Sequence, residues 1–379
     1  MKNRRSRALL ARQSEPQLQV SRAQGSYLFD EHGKQYIDFV MGWCVGNLGW
    51  GHPELEHRAR RFKGPDYVYP GYDYRPWEEL AGLLLSIAPR NLARCFRATG
   101  GSEAVDIALQ AAMVHTGRRG LMSLEEAYHG NSIAGLSVGE GEYLRDCHKI
   151  ALPLNGKALA AIERRLAGRK VAAFIMEPVS INLGVLIPAR SFMRELQRLC
   201  RRYGSLLILD EVACGFGRTG RLFAVEHYEL EPDLMCIAKA ATGGVGGMGA
   251  VLASAAVAKS MEEEGTFYST YGWHPRSVDL AIAAVRLMVR DRKRLLENVD
   301  KISALFSARL APLDFESRVQ GLAIALDVED EKYATKVQRR CQDRGLLVNA
   351  EENLLLMLPA LNLDRATAEK GLDILERAL

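Results

Sequence analysis

Three short apolar runs limit the possible folds of this chain more than any other feature of its sequence. The runs are Val171–Met176, Leu206–Leu209 and Leu234–Ala238. Each run is continuously apolar and does not alternate with polar residues, which is typical of strands buried on both faces of a parallel sheet. The three runs therefore predict central strands of an α/β protein.

The segment between the first two runs has the pattern of an amphipathic helix. Its apolar residues recur at helical spacing with arginines on the opposite face, and Gly204 follows as the expected end of the helix. The apolar positions are Phe192, Leu196, Leu199 and Tyr203. A strand, a helix and a second strand in this order predict a βαβ unit with parallel strands.

The two ends of the chain differ in pattern from this α/β region. Residues 1–24 are predicted to be a polar arm, and a β-hairpin follows with strands at 27–29 and 36–39. In the last quarter we expect a charged helix, an apolar strand at Val319–Val328, another helix, two short apolar runs and a final helix from about Asp364. This C-terminal part is interpreted as a small α+β domain.

The composition agrees with a globular protein and excludes several function classes. Of the 379 residues, 48% are hydrophobic and 25% are charged, and the formal net charge is only +4. This balance gives no support for nucleic-acid binding, and no apolar stretch approaches the roughly 20 residues of a membrane span. The seven cysteines are scattered without a CxxC pair, so neither a metal site nor a disulfide framework is predicted. A reducing cytoplasm is the expected location.

The segment Thr99–Ala104 reads Thr-Gly-Gly-Ser-Glu-Ala and precedes an alanine-rich helical pattern. Glycines at a helix start leave backbone N–H groups uncovered, and the helix dipole favours an anion there, so a phosphate would fit. We expect the helix to begin at Ser102 or Glu103. The same residues also suit an ordinary glycine turn with a serine N-cap, and the segment alone leaves both readings open.

Three other features follow predicted strands. Asp210 ends the second apolar run, at the sheet edge where ligands of α/β proteins gather. Lys239 ends the third run among small residues, which would desolvate its amine as Schiff-base chemistry requires. Tyr128 and His129 follow a further expected strand, where a flat ring can stack on a flat ligand. Taken singly, each feature has a structural explanation: a capping acid, a solvent-facing lysine and a core aromatic.

The order of these features points to one cofactor. Pyridoxal phosphate (PLP) needs a helix N-terminus for its phosphate and a flat partner for its ring. It also needs a carboxylate that keeps the pyridine nitrogen protonated and a lysine for its aldehyde. The chain supplies these groups in succession, with the lysine 29 residues after the aspartate. The sequence therefore predicts a PLP enzyme.

The chain resembles the class III (ω-) aminotransferases, which are fold type I PLP enzymes. The resemblance is carried by Leu209–Gly220 (Leu-Asp-Glu-Val-Ala-Cys-Gly-Phe-Gly-Arg-Thr-Gly), by Glu231-Pro232-Asp233 and by Ile237–Ala240. It implies an α/β fold in which a large domain with a mostly parallel seven-stranded sheet is joined to a small α+β domain. It also implies a homodimer with active sites at the interface.

The same resemblance suggests a domain division. Residues 58–290 would form the large PLP-binding domain. Residues 1–57 and 291–379 would form the small domain, so that both ends of the chain contribute to it.

The resemblance also assigns roles to individual residues. Lys239 would form the Schiff base with PLP, and Asp210 would pair with the pyridine nitrogen. Val212 and Tyr128 would lie against opposite faces of the ring, with His129 beside them. The other implied cofactor contacts are Gly101 and Ser102 at the phosphate, Glu177 close to the cofactor, and Thr270, which would reach a phosphate across the dimer interface. No metal is expected.

The implied function is transfer of an amino group between an amine and a keto acid or aldehyde. The reaction would be ping-pong, through aldimine and ketimine states, with Lys239 as both nucleophile and base. Another PLP reaction on the same fold, such as that of an aminomutase, decarboxylase or racemase, uses the same groups and stays open.

A glycine run offers a different interpretation. Gly244–Gly249 satisfies GxGxxG and Glu264 follows 20 residues after Gly244, as in nicotinamide-dependent oxidoreductases, but no clear strand–helix unit surrounds it. The same glycines suit a loop beside Lys239. A non-catalytic scaffold is the other alternative, and the intact lysine, aspartate and phosphate segment argue against it.

The chain departs from the family pattern mainly at positions that concern the substrate. A glutamine that many members have after Asp-Glu-Val is Ala213 here, and an acid that in some members switches with an arginine is Asn182. The arginine that many users of α-carboxylates carry is Leu356, which cannot make the paired hydrogen bonds that a carboxylate accepts. We therefore predict a substrate without a conventionally held α-carboxylate, such as an ω-amine, an amino sugar or an elaborated intermediate.

Aromatic residues are candidates for the pocket of such a substrate. Trp43 lies in Gly42-Trp43-Cys44, and Tyr72 and Tyr74 lie in a tyrosine-rich segment. An ordinary core position is equally compatible with each of them.

Overall fold

The computed structural model describes residues 18–264 and 267–379. Residues 1–17 of the predicted polar arm lie outside the described residues. The prediction is wrong for the end of that arm, because Val20–Gln24 form a strand that pairs with the following hairpin. The described strands are β1 Val20–Gln24, β2 Tyr27–Asp30, β3 Gln35–Asp38, β4 Leu92–Ala98, β5 Gly120–Leu124, β6 Cys147–Ile150, β7 Val171–Met176, β8 Leu206–Asp210, β9 Leu234–Ile237, β10 Gly249–Ser254, β11 Ser317–Gln320, β12 Ala323–Asp327, β13 Leu346–Leu347, β14 Asn349–Glu351 and β15 Leu354–Met357.

Helices cover these strands and connect them. They are α1 Pro53–Arg61, α2 Arg75–Ile87, α3 Gly101–Thr116, α4 Ile133–Val138, α5 Gly156–Ala167, α6 Arg190–Tyr203, α7 Ala255–Glu264, α8 Pro275–Arg290, α9 Arg292–Leu310, α10 Glu331–Asp343 and α11 Arg365–Glu376. Short 3₁₀ turns lie at Ala224–His227 and Lys239–Thr242. Within the described ranges, no helix is long and apolar enough to cross a bilayer.

A seven-stranded sheet forms the centre of the molecule. Its strand order is β4-β10-β9-β8-β7-β5-β6. β10 runs antiparallel to its neighbours β4 and β9, whereas the other neighbouring pairs are parallel. The three apolar runs are β7, β8 and β9, and their residues are buried on both faces. The predicted α/β fold with a mostly parallel seven-stranded sheet is confirmed.

Helix α6 joins β7 to β8 as the sequence pattern predicts. Its apolar face, which includes Phe192, Leu196 and Leu199, is buried. The helix ends at Gly204, whose φ of 64° is in the left-handed region that glycine adopts without strain. The βαβ unit therefore follows from apolar periodicity together with one glycine stop signal.

Two smaller sheets are built from the ends of the chain. One has the order β1-β2-β3-β13, in which the N-terminal β3 pairs in parallel with the C-terminal β13. The other has the order β11-β12-β15-β14. The predicted division into domains at residues 57 and 290 stays a prediction.

The single strand predicted at Val319–Val328 is wrong. The chain forms a hairpin there instead, with β11 and β12 antiparallel around Gly321. The φ of Gly321 is 60°, so its backbone is in the left-handed region that reverses the chain in this turn. An apolar run that contains one glycine at a turn is easily mistaken for an unbroken strand.

Arg218 holds this C-terminal hairpin against the central sheet region. The side chain is fully buried, and its Nη1 donates hydrogen bonds to the carbonyl oxygens of Leu322, at 2.9 Å, and Pro359, at 2.6 Å. Its Nη2 donates to Asn47 Oδ1 at 2.6 Å. A Cβ atom on Gly321 would overlap backbone atoms of the adjacent Thr219-Gly220 segment. The two backbones can meet this closely only because Gly321 has no side chain.

Glu211 is a second buried connection, directly after β8. It accepts hydrogen bonds from the backbone N–H groups of Ala224, at 2.9 Å, and Val225, at 2.7 Å, and thereby fixes the 3₁₀ turn. Burial raises the pKa of Glu211 from 4.5 to about 7, against the opposing effect of these hydrogen bonds. Its carboxylate is therefore more basic in the folded protein than in the unfolded chain.

We expect the change Gly321→Ala to destabilise the protein strongly. The change Gly33→Ala serves as the matched control, because Gly33 also lies in a hairpin turn with a left-handed φ of 81° but has nothing within 4 Å of the added methyl group. The control should cost about 1–2 kcal/mol from backbone strain alone. Gly321→Ala should cost about 1–3 kcal/mol more, because the surrounding backbone must move. Chemical denaturation of both variants measures the difference, and equal losses of unfolding free energy would contradict the close approach.

Glu211 also gives a prediction about pH. Because its pKa is raised to about 7 on folding, its contribution to stability is greatest below pH 4.5 and is lost as the pH rises to about 7. Relative to Glu211→Gln, the unfolding free energy of the wild type should fall by on the order of 3 kcal/mol over this range. Denaturant titrations of the two proteins between pH 4.5 and 8 measure this change. A difference that does not vary with pH would show that the pKa of Glu211 is the same in the folded and unfolded states.

Candidate active site

A cavity of about 300 Å³ opens at the edge of the central sheet where β8 and β9 end. It brings together eight of the residues singled out from the sequence. These are Gly101, Ser102, Tyr128, His129, Glu177, Asp210, Val212 and Lys239. All three substrate-pocket candidates, Trp43, Tyr72 and Tyr74, lie elsewhere, as does the predicted interface residue Thr270.

Strand register places the acidic residues of the cavity. Leu209 of β8 pairs with Met176 of β7, so the next residues, Asp210 and Glu177, emerge at the same sheet edge. Asp210 in turn pairs with Cys236 of β9, three residues before Lys239. Parallel pairing thus gathers groups that are far apart in sequence.

The N-terminus of α3 forms one end of the cavity. The helix begins at Gly101, one residue earlier than the first expected position. Glu103 reaches back, and its Oε2 accepts hydrogen bonds from the backbone N–H and hydroxyl of Thr99, both at 2.5 Å. Burial tends to raise the pKa of Glu103, but the hydrogen bonds from Thr99 and Ser269 outweigh it and lower the pKa. Uncovered N–H groups in the first turn of α3 can hold a phosphate.

Gly130 makes room at this end of the cavity. Its φ is 106°, and a Cβ atom there would lie 2.5 Å from Ser102 Oγ. Ser102 Oγ accepts a hydrogen bond from the backbone N–H of Asn131 at 3.2 Å. The loop after Tyr128 and His129 is therefore held directly over the start of α3.

Asp210 is held by two hydrogen bonds on the cavity wall. His129 Nδ1 lies 2.8 Å from its Oδ2, and the backbone N–H of Val212 donates to its Oδ1 at 3.0 Å. Both side chains are nearly fully buried. His129 Nε2 is buried as well and has no hydrogen-bond partner among the described residues. The pair presents a fixed carboxylate whose orientation the histidine determines.

Glu177 is buried beside this pair. Its carboxylate accepts hydrogen bonds from Ser180 Oγ at 2.9 Å, from Asn182 Nδ2 at 3.0 Å and from the backbone N–H of Ile181 at 3.3 Å. Burial raises the pKa of Glu177, and the neighbouring Asp210 adds to the rise. Asn182, noted above as a departure from the family pattern, thus lines the cavity and uses its amide to hold Glu177.

Lys239 begins a 3₁₀ turn immediately after β9. Its φ of 45° is left-handed, a conformation that costs a residue with a side chain roughly 1–2 kcal/mol. Such strain persists only where the surrounding structure enforces it, and it is commonly found at functional sites. The flanking Ala238 and Ala240 are buried, in agreement with the small-residue surroundings expected from the sequence.

The cavity is also lined by Val45, Val105 and Gly130, which the sequence analysis did not propose, and by Gly246, Gly247 and Met248. Val45 follows four successive residues, Met41–Cys44, whose φ values of 46°, 59°, 58° and 66° are all left-handed. Only Gly42 hints at this turn in the sequence. Gly246, Gly247 and Met248 belong to the segment Gly244–Gly249, which the sequence presents as a possible GxGxxG motif.

The structure contradicts the GxGxxG interpretation. The segment Gly244–Gly249 leads into β10, which is antiparallel to its neighbours, and no helix begins within the segment. A dinucleotide fingerprint must instead connect a parallel strand to the start of a helix. These glycines form a loop beside Lys239, held by a hydrogen bond from Thr242 Oγ1 to the carbonyl oxygen of Gly246 at 2.6 Å.

The remaining predicted residues do not line this cavity in the single chain. Thr270 is exposed, and Tyr72 is also exposed, with 69% of its surface accessible. Trp43 is half-buried within the left-handed turn. Tyr74 packs edge-on against Trp77, with their ring centres 5.4 Å apart. Their predicted roles at a pocket or an interface stay predictions.

The groups at the cavity fit PLP. The helix N-terminus and the space kept open by Gly130 suit a phosphate. The buried Asp210 carboxylate, fixed by His129, suits a protonated ring nitrogen, and Lys239 provides an amine in the same cavity. Val212 and Tyr128, both on the lining, provide an apolar and an aromatic wall for a flat ring.

Comparison with known proteins agrees with this geometry. The family model described as class III aminotransferase matches residues 9–379. An acetylornithine aminotransferase of Archaeoglobus fulgidus is 33% identical over 362 residues, covering 94% of this chain and 94% of that protein. The acetylornithine aminotransferase of Clostridium acetobutylicum is 31% identical and covers 94% of this chain and 95% of its own length.

Solved structures show the same architecture. A PLP-bound amine transaminase from an uncultivated Pseudomonas species is 28% identical and superposes with a TM-score of 0.88, covering 98% of this chain and 97% of the other. A transaminase from the marine bacterium Virgibacillus has a TM-score of 0.92 at 24% identity, covering 100% of this chain and 97% of its own. The cavity fits the cofactor, and the family model and the relatives match nearly the whole chain. This protein therefore belongs to the class III aminotransferases and is a PLP-dependent transaminase.

Proposed function

We propose that this aminotransferase takes its amino group from a donor whose reacting nitrogen is not adjacent to a conventionally held carboxylate. An ω-amine, an amino sugar or an elaborated intermediate has this property. The acceptor is a keto acid or an aldehyde. The observation that carries the proposal is the absence of arginine from the described lining of the active-site cavity.

Two departures from the family pattern agree with this absence. Leu356 is fully buried in the apolar core of the C-terminal sheet, so it offers no polar contact to a substrate. Asn182 is neutral and donates its amide hydrogen bond to Glu177. A carboxylate next to the reacting nitrogen therefore meets no guanidinium from the same chain, and binding of such substrates should be weak. The relatives from Archaeoglobus and Clostridium are named for acetylornithine, and their likeness supports a donor in the ω-amine class.

The roles proposed for the cavity residues follow from their positions. PLP, when bound, supplies an aldehyde that a lysine can hold and a ring that draws electrons from the substrate carbon. The N–H groups at Gly101 and Ser102 bind the phosphate. Asp210, oriented by His129, keeps a proton on the ring nitrogen. Lys239 Nζ removes a proton from the substrate carbon and returns it one step later.

The side walls of the cavity orient the ring between Val212 and Tyr128. Glu177 closes the cavity near Asp210 and is itself fixed by Ser180 and Asn182. Ala213 is also on the lining, where its small side chain leaves more space than the glutamine of the family pattern would. This additional space suits a bulky donor.

A homodimer with active sites at its interface is part of the proposal. Thr270 is exposed and would reach the phosphate bound in the partner subunit. Around it lies a cluster of exposed tyrosines, here called the tyrosine face, which consists of Tyr67, Tyr69, Tyr72, Tyr268 and Tyr271. An exposed aromatic cluster of this kind is typical of a protein interface. A reducing cytoplasm is proposed as the location, because all seven cysteines are free.

Lys239→Ala should abolish transamination. Removal of the amine deletes both the group that holds the cofactor aldehyde and the group that moves the substrate proton, and the rate should fall by at least roughly 10³-fold. Conversion of a keto acid to its amino acid, followed by chromatography, measures the rate, and visible absorbance measures the lysine-bound cofactor. Lys259→Ala is the control, because Lys259 is an exposed lysine of α7 that pairs with Glu263 and does not line the described cavity. A variant that kept both its activity and its absorbance band would contradict the assignment.

The donor preference is tested with a panel of amines and α-amino acids. Terminal amines should reduce the visible absorbance of the cofactor-loaded enzyme at lower concentration than α-amino acids of similar size. The physical reason is that no arginine on the described lining of the cavity compensates the burial of an α-carboxylate. Rapid-mixing spectra between 320 and 430 nm, about the range of the cofactor bands, provide the measurement. Glutamate or another α-amino acid as the best donor, with a micromolar KM, would refute this part of the proposal.

A further inference from the structure

A second cavity lies at the outer edge of the central sheet, beside the edge strand β4. Its volume is about 310 Å³, and it shares no lining residue with the active-site cavity. The residues that line it are Tyr69, Pro70, Gly71, Cys95, Phe96, Arg97, Phe267, Tyr268 and Ser269. Arg97 is the only charged residue among them.

Stacking fixes the guanidinium of Arg97 in one orientation. Its Cζ lies 3.8 Å from the centre of the Trp77 ring. Trp77 is buried and donates a hydrogen bond from Nε1 to the carbonyl oxygen of Trp273 at 2.7 Å. Trp273 is also buried, and its Nε1 donates to the carbonyl oxygen of Gly249 at 2.8 Å. A planar cation on such a rigid aromatic support is oriented before any ligand arrives.

This oriented cation lacks an acceptor in the described chain. Its Nη1 is buried and has no hydrogen-bond partner among the described residues. Burial lowers the pKa of Arg97, although an arginine side chain remains charged at neutral pH. By contrast, Arg94 on the same strand pairs with Glu262, with 3.8 Å between Nε and Oε1. A buried donor without an acceptor is costly, and a bound anion would remove that cost.

The other polar groups of the cavity are also hydrogen-bond donors. Tyr69 and Tyr268 carry hydroxyl groups, whereas the Ser269 hydroxyl is already hydrogen-bonded to the Glu103 carboxylate. No carboxylate is among the described residues that line the cavity. A flat oxyanion such as a carboxylate matches a guanidinium edge and nearby hydroxyls. The cavity therefore has the chemistry of a carboxylate-binding site.

Its position connects this cavity to the reaction. Ser269 on its wall directly precedes Thr270, and neighbouring Cα atoms are about 3.8 Å apart. If Thr270 reaches the phosphate of the partner subunit, the cavity of Arg97 also faces the partner subunit's active site. The partner's cavity, like that of this chain, has no arginine of its own on its described lining.

We propose that Arg97 binds the carboxylate of the substrate held in the partner subunit's active site and thereby determines which carbonyl acceptors the enzyme uses. This inference rests on the proposed function and extends it. It names an anionic acceptor whose carboxylate is not adjacent to the reacting carbonyl carbon. Each subunit then supplies Lys239 to its own active site and Arg97 to the active site of its partner.

The first test compares two acceptors that differ in one carboxylate, 4-oxobutanoate and butanal. Arg97→Met should lower the ratio of their kcat/KM values by roughly 10- to 100-fold, mainly through KM, as expected for a lost charge-assisted hydrogen bond. Arg94→Met is the matched control from the same strand and should change the ratio less than about twofold. Calorimetry with glutarate, which does not react, should show weaker binding to Arg97→Met. An unchanged ratio would overturn the proposal.

Hybrid dimers show whether Arg97 acts across the interface. The first hybrid dimer combines one Lys239→Ala subunit with one Arg97→Met subunit. Its one intact Lys239 is in the Arg97→Met subunit and faces the intact Arg97 of the other subunit, so the preference for 4-oxobutanoate should be that of the wild type. In a dimer of one doubly substituted subunit and one wild-type subunit, the intact lysine faces a partner that lacks the guanidinium, so the preference should be lost. The reverse pattern, or a monomer in sedimentation, would overturn the proposal.

Two further outcomes separate this inference from its alternatives. If Arg97 only pairs with an acidic residue of the partner, Arg97→Met would weaken the dimer without changing the acceptor ratio, which overturns the inference. Transamination of butanal by the wild type reports the proposed function independently. If the wild type transaminates no carbonyl acceptor, the proposed function itself is refuted. If the wild type transaminates butanal but Arg97→Met leaves the ratio of kcat/KM values unchanged, only the role of Arg97 is refuted.

Discussion

The parallel pairing of β8 with β9 is the constraint on which the rest of the site depends. It puts the carboxyl ends of both strands at one edge, where Asp210 and Lys239 enter the same cavity. The adjacent pairing of β7 with β8 adds Glu177. Because these strands are buried on both faces, their register is set by the apolar core and not by the polar residues at their ends. Packing of the apolar core therefore positions the polar side chains of the cavity.

Around this edge, backbone conformations that are unfavourable alone are held in place by buried contacts. Lys239 and the turn Met41–Cys44 are left-handed. The turn follows Asp38, whose Oδ1 accepts hydrogen bonds from the backbone N–H groups of Val40 and Met41, both at 2.8 Å. Asp210 is held by His129 in the same way. Buried contacts thus hold two left-handed segments at or beside the cavity, where a site needs fixed groups.

The sequence predicts the parts of this structure that depend on local patterns. Continuous apolar runs gave β7, β8 and β9, helical periodicity gave α6, and strand ends marked Asp210 and Lys239. Local patterns do not predict features of the structure that depend on residues distant in sequence but close in space. A glycine within an apolar run turned one expected strand into the hairpin at Gly321, and nothing in the sequence shows that Val45 reaches the cavity. The missing acceptor at Arg97 Nη1 depends on which described residues surround it in space, and the role predicted for Thr270 concerns a second subunit.

The central claim is that the edge of β8 and β9 places Lys239 where it, and no other lysine, bonds covalently to the cofactor. Reduction of the cofactor-loaded enzyme with borohydride, followed by proteolysis and mass spectrometry, tests it most directly, because reduction makes the lysine–cofactor bond permanent. The account predicts one pyridoxyl-phosphate adduct, on the peptide that contains Lys239, and its loss when an excess of amine donor is added before reduction. An adduct on another lysine, or no adduct in a protein that still transaminates, would contradict the account.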